Sequence, residues 1–141
     1  MVLETKSPGQ TFQAGMHMGQ KARVGQVFTL TGDLGVGKTV FTQGFAKGLG
    51  IDEPVSSPTF TIVQIYESGR LPFYHFDVYR ISDVEEMEEV GFDDYIMGGG
   101  VSLIEWANLI EEILPENRTE VVIEKDLSQG FEYRRITIEE L

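Results

Sequence analysis

One stretch limits what this chain can fold into more than any other: Gly32-Asp33-Leu34-Gly35-Val36-Gly37-Lys38-Thr39. It fits G-x-x-x-x-G-K-[ST], the phosphate-binding P-loop, which needs a strand running into it and a helix leaving it. Both flanks comply. Gln26-Val27-Phe28-Thr29-Leu30-Thr31 alternates polar with apolar residues as a strand does, and Val40 to Leu49 has helical character up to Gly50, a natural C-terminal cap. In such a loop the backbone of Asp33, Leu34, Gly35, Val36 and Gly37 turns its N–H groups inward around phosphate oxygens, and the helix N-terminus adds partial positive charge. Lys38 then reaches the β- and γ-phosphates, and the Thr39 hydroxyl ligates Mg²⁺.

A chain of 141 residues predicts one domain, 1–141, with a single core. Its 23 acidic against 11 basic residues give a net charge of −12, which argues against this chain gripping a nucleic acid by itself. Phosphate neutralisation needs clustered Lys and Arg. Any link to RNA or DNA is therefore expected through a more basic partner. There is no cysteine, hence no disulfide and no thiolate metal site. No apolar run is long enough to span a membrane and the N-terminus has no apolar signal segment, so a cytoplasmic protein is expected.

Elsewhere the pattern predicts an α/β fold, a mostly parallel central sheet with an inserted antiparallel hairpin and helices on both faces. Ser7-Pro8 reads as a helix start, with Phe12, Met16 and Gly19 on one face through Gln20. Thr59 to Tyr66 and Leu71 to Tyr79 are hairpin strands around Ser68-Gly69-Arg70. Ser82-Asp83-Val84-Glu85 is a capping box, Gly91 to Met97 a helical turn and Gly98-Gly99-Gly100 a flexible joint. Val101 to Glu105 is a short strand, interrupted by the polar Ser102. Trp106 to Leu114 is helical, and Thr119 to Lys125 and Phe131 to Ile138 are the last strands.

Guanine-specific P-loop proteins usually read the base with an Asn-Lys-x-Asp segment. Asn108 and Asn117 lie in no such segment, so ATP is the expected nucleotide. A P-loop also needs a second acid at a strand end to hold Mg²⁺. Asp77, Glu105 and Glu124 each end an apolar run, and the pattern alone does not choose among them, although Glu124 also fits an ordinary exposed strand residue. Alternation puts Asp77 on the same strand face as His75, either a catalytic or a satisfied sheet-face histidine. Ser56-Ser57-Pro58-Thr59-Phe60 falls where nucleotide switches carry a segment that senses the γ-phosphate.

These blocks have a recognisable order: Gly32–Thr39, then Ser57-Pro58-Thr59-Phe60, then His75-Phe76-Asp77-Val78-Tyr79-Arg80, then Ile104-Glu105-Trp106. In that order and in so short a chain they resemble the TsaE family, ATPase subunits of bacterial tRNA threonylcarbamoyladenosine biosynthesis. The resemblance implies that Thr39 and Glu105 bind Mg²⁺, that Asp77 is a catalytic acid beside Lys38, that Thr59 belongs to the switch, and that Trp106 lies beside the nucleotide. It also implies an N-terminal threonine and a C-terminal arginine at the ATP site. Thr11 matches the first with Thr5 in competition, and Arg134 the second with Arg135 in competition. The implied partners are TsaD and TsaB, with tRNA reached only through the complex.

Two other classes fit a P-loop. A small P-loop kinase would bring lid arginines to the transferred phosphate; the arginines here are Arg23, Arg70, Arg80, Arg118, Arg134 and Arg135, with no evident lid. A nucleotide-gated binding module would hydrolyse little and signal by its bound state.

Overall fold

The computed structural model describes residues 1–33, 35–58 and 61–141. Among these, the strands β1 (Val2–Thr5), β2 (Val27–Thr31), β3 (Val63–Tyr66), β4 (Phe73–Asp77), β5 (Val101–Glu105), β6 (Thr119–Lys125) and β7 (Arg134–Glu140) form one sheet in the order β1-β7-β6-β2-β5-β4-β3. The inner strands β6, β2, β5 and β4 run parallel. The edges are antiparallel: β3 pairs with β4 in the expected hairpin, β7 pairs with β6, and β1 pairs with β7. β5 is buried along its whole length, Ser102 included, as a strand covered on both faces must be.

Two helices cover one face. α1 (Pro8–Lys21) starts as its sequence predicts: Ser7 Oγ accepts the Gln10 N–H at 3.2 Å, Gln10 Oε1 accepts the Lys6 N–H at 2.7 Å, and Pro8 stands in the first turn. α2 (Lys38–Gly48) runs parallel to it at very short range. A Cβ at Gly15 would overlap the Phe41 carbonyl oxygen, one at Gly19 that of Phe45, one at Gly44 that of Phe12, and one at Gly48 that of Met16. Small residues spaced by four thus let the two backbones touch. This corrects the expected buried face of α1, because Thr11, Gly15 and Gly19 face inward while Phe12 and Met16 are only half-buried. Beneath the pair, Phe28, Leu30, Phe45, Phe73 and Leu103 build the larger core.

Arg70, in the β3–β4 turn, ties off the far ends of both helices. Its guanidinium donates to the carbonyl oxygens of Gly19, Gln20 and Ala22 at 2.7, 2.9 and 2.8 Å, and its backbone N–H donates to Leu49 O at 2.8 Å. These carbonyls are among the orphans that a helix C-terminus leaves without an internal partner.

The opposite face is covered by short pieces: α3 (Glu85–Glu89), α4 (Phe92–Ile96) and a 3₁₀ segment Ala107–Ile113, kinked at Ile110, within the expected helical stretch Trp106–Leu114. Phe76, Met87, Phe92, Ile104 and Ile110 fill that core with large side chains. The capping box differs from expectation by one residue. Glu86, not Glu85, reaches back to the Ser82 N–H (3.3 Å), while Asp83 accepts the Glu85 N–H (2.9 Å). Of the glycines at 98–100, Gly100 is buried and a Cβ there would strike Pro72 O and Tyr74, whereas Gly99 faces open space. The last strand begins at Arg134 rather than Phe131, which is 82% exposed. No helix among the described residues is long and apolar enough to cross a membrane.

Candidate active site

Register brings the chemistry together. Glu105, the last residue of β5, pairs with Leu30 of β2 on one side and with Asp77, the last residue of β4, on the other. The glycine loop leaves β2 after Thr31, so the loop and both carboxylates lie at the carboxyl ends of adjacent parallel strands. That is where open α/β sheets form their ligand crevices.

Gly35 and Gly37 have φ of +77° and +109°, which a side chain would strain. Gly37 is also the N-cap of α2 and offers no side-chain cap. The first-turn N–H groups of that helix are thus left for an anion. Lys38, in the first turn, is 9% exposed. Its Nζ lies 3.9 Å from Glu105 Oε1 and 4.6 Å from the centroid of the Trp106 ring. At 3.9 Å the ion pair is not a hydrogen bond, so the ammonium keeps its donors for another acceptor. Thr39, beside it, is exposed on the helix surface.

Glu105 is buried, and its other oxygen, Oε2, lies 2.8 Å from His75 Nε2. Asp77 is half-buried and accepts the Tyr79 N–H at 3.0 Å. Burial, reinforced by the charge of Glu105, pushes the Asp77 carboxyl above its ordinary value of 3.8, against the opposing pull of the Tyr79 bond, His75 and Lys38. The chain turns sharply after Glu105. Trp106 is the one described non-glycine residue with positive φ, at +62°, which swings its ring over Lys38 and against Tyr79 at 4.7 Å between centroids. A left-handed tryptophan is a costly conformation, of the kind that collects at functional sites.

Two clefts open beside the loop. One, of about 380 Å³, is lined by Gly32, Asp33, Lys38, Trp106, Asn108 and Glu124. The other, of about 180 Å³, is lined by Thr11, Gly35, Gly37 and Arg134 among others. Arg134 Nε donates to Val36 O at 2.6 Å, whereas Arg135 turns toward Asp126 at 3.8 Å. Thr5 and Thr11 are not rivals in space. Their buried hydroxyls lie 2.7 Å apart, and Thr11 is the one that lines the cleft. A third cleft, again about 380 Å³, lies at the opposite end of the sheet around His17, Lys21, Arg23 and Thr119, away from the loop and both carboxylates.

Of the expected site residues, Thr11, Asp33, Gly35, Val36, Gly37, Lys38, Thr39, Asp77, Glu105, Trp106 and Arg134 thus lie around one loop. Leu34 and Thr59 fall outside the described residues. Sequence reasoning missed the Tyr79–Trp106 pair and the place of Asn108 on the Lys38 cleft, while Glu124, one of the three candidate strand-end acids, lines the same cleft.

The donor set suits a nucleotide with Mg²⁺. A buried lysine with spare donors and an uncapped helix start suit phosphate oxygens, and a hydroxyl with one buried carboxylate suits a metal that keeps several waters. Among the described residues no three His, Asp or Glu side chains form a metal-holding group, and such a metal needs none.

Comparison with known proteins identifies the family. The family model described as "Threonylcarbamoyl adenosine biosynthesis protein TsaE" matches residues 5–136. The chain is 55% identical over 116 residues to the tRNA threonylcarbamoyladenosine biosynthesis protein TsaE of Bacillus subtilis, covering 82% of this chain and 70% of that one. It is 41% identical over 112 residues to the Treponema pallidum protein of the same name, covering 79% and 82%. The crystal structure of Bacillus subtilis YdiB superposes with a TM-score of 0.85 at 44% identity, over 99% of this chain and 84% of that one. With a family model over residues 5–136 and a relative 55% identical over 82% of the chain, this chain belongs to the TsaE family.

Proposed function

We propose that this chain is a Mg²⁺-dependent, slow ATPase that serves the formation of threonylcarbamoyladenosine next to the anticodon of tRNAs reading codons that begin with A. The observation that carries this reading is the row Leu30–Glu105–Asp77 at the strand ends, with Lys38 beside it. Lys38 and the first turn of α2 hold the β- and γ-phosphates. The Thr39 hydroxyl and the Glu105 carboxylate hold Mg²⁺, which when bound neutralises charge on the phosphate oxygens. Asp77 orients the attacking water and takes its proton. A carboxyl raised by burial is a better base than a solvated one, because its proton affinity moves toward the working pH. Trp106 and Arg134 flank the nucleotide on the two sides of the loop, and Thr11 supports the Arg134 side.

Among the described residues Arg134 is the one arginine lining either cleft at the loop, and its Nε and Nη1 donate to the backbone carbonyls of Val36, Phe131 and Tyr133. With that arginine held by the backbone, turnover by the chain alone is slow, by a factor of about 10³–10⁵ against a site assisted by an arginine finger. The partners of this reading are TsaD and TsaB, and the charge of −12 leaves tRNA to them. The test is phosphate release from ATP by the purified chain, alone and with TsaD and TsaB. Slow release, accelerated by the pair and lost in Glu105→Gln, supports the reading. Phosphate passed to an acceptor instead of water would make the protein a kinase. Full activity in Glu105→Gln with loss in Glu124→Gln would move the metal to the other strand.

A further inference from the structure

Glu105 has two carboxylate oxygens, and each faces something different. Oε1 is turned to Lys38 at 3.9 Å, and Oε2 to His75 at 2.8 Å. His75 comes from β4, two residues before Asp77, where strand pairing sets it opposite Leu103 rather than Glu105. Its ring therefore reaches along the sheet to the carboxylate. That ring is held tightly. It is 1% exposed and stacks on Phe73, with planes 8° apart and centroids at 5.8 Å. Nδ1 is buried without a hydrogen-bond partner among the described residues. A carboxylate oxygen accepts and does not donate, so Nε2 carries an N–H and points it at Oε2.

We propose that His75 is the positioning residue for Glu105, fixing the carboxylate so that Oε1 is the oxygen presented to Mg²⁺. The inference rests on the metal role given to Glu105 above. A glutamate has rotatable bonds that must be frozen before it can serve as a ligand, and an unanchored one would relax toward Lys38. The Nε2–H bond removes that freedom in advance, and the Phe73 stack removes the freedom of the histidine in turn. His75 itself touches neither nucleotide nor metal in this arrangement. Partners that orient a ligating side chain typically change metal affinity by about 10–100-fold when removed.

The test uses the full chain and calorimetry of ATP binding, once in EDTA and once across a Mg²⁺ titration. His75→Phe keeps a ring on Phe73 and loses the donor. His75→Gln keeps an N–H donor of similar reach. Expected is a roughly 10–100-fold rise in the Mg²⁺ concentration needed by His75→Phe, with metal-free ATP affinity unchanged. His75→Gln should recover most of the loss, and His75→Phe should add nothing in a Glu105→Gln background. If His75→Phe loses its cooperative thermal transition, His75→Asn carries the test, because its amide is too short to reach Oε2 and must show the same rise. A parental Mg²⁺ titration in the donor-less variant, or a loss that persists in the Glu105→Gln background, overturns the inference. If Glu105→Gln itself titrates like the parent, the failure belongs to the metal role of Glu105 instead.

Discussion

The two faces of the sheet are built on opposite principles. On one, α1 and α2 meet backbone to backbone through Gly15, Gly19, Gly44 and Gly48, with no side chain between them. On the other, short helical pieces stand off on Phe76, Met87, Phe92 and Ile110. The first face carries the site: α2 opens with Lys38 and Thr39, and α1 brings Thr11 to the loop. The second carries an acidic surface, with Glu85, Glu86 and Glu88 in the first turn of α3 and Asp93 and Asp94 in that of α4. The lesson is one of tolerance. Backbone contact fixes a helix position with no soft atoms to absorb error, so it suits the side that must place phosphate-binding groups. Side-chain packing can adjust rotamers and suits a side that mainly excludes water.

The largest expected effect follows from that contrast. Gly44→Ala adds a single methyl where the Phe12 carbonyl stands, so the helices must part. Overpacking of this kind costs about 1–3 kcal/mol, and a backbone obstacle belongs at the upper end. Thermal denaturation should show it, together with weaker ATP binding because the loop moves with α2. Met87→Leu, on the other face, keeps volume and should cost less than about 1.5 kcal/mol while leaving ATP affinity alone. Equal losses from the two would break the comparison.

Lys38→Ala comes next. Charge-assisted bonds contribute about 1.5–3 kcal/mol each, so ATP affinity should fall at least about tenfold in calorimetry while the fold survives. Unchanged affinity would remove the P-loop reading and the reason for a rigid first face.

Asp77→Asn should act in the opposite direction on stability. The carboxyl is raised above 3.8, so the folded state holds that proton more tightly than the unfolded chain does. Its ionised form therefore destabilises the fold above the raised value, and the penalty disappears as pH falls toward 3.8. The asparagine variant keeps an acceptor for the Tyr79 N–H and should melt higher than the parent at neutral pH in EDTA. The gap should close on acidification, and hydrolysis should be slowed throughout. A gap independent of pH would mean that charge is not its cause.

Smallest of all, Glu124→Ala should change ATP binding and melting little. Glu124 is exposed, although it lines the Lys38 cleft. A strong loss of hydrolysis there would transfer the metal from β5 to β6.

What was legible in the sequence was whatever is signalled locally. β2, α2, β5 and β6 are announced by alternation, glycine spacing and caps, and the structure places each within two residues of its reading, α2 starting at Lys38 rather than Val40. β1 was missed because Val2–Thr5 is a strand only by pairing with β7, more than a hundred residues on. The face of α1 was misread for a sharper reason. Hydrophobic periodicity looks for side chains, and this helix buries Gly15 and Gly19, the places without one. In the site, chain order hid the relation of Thr5 to Thr11, which only the fold turns into a hydroxyl pair, and the contact of His75 with Glu105, which crosses strands off register.

The Arg70 anchor has a consequence for how the molecule opens. One guanidinium closes the carbonyl end of α1 while the adjoining amide closes that of α2, so the β3–β4 turn cannot leave without freeing both helix ends. Local unfolding proceeds in cooperative units that share such contacts. In hydrogen exchange the last turns of α1 and α2 and the hairpin should therefore lose protection in a single step. Arg70→Ala should split that step into separate openings, leaving each helix to fray on its own.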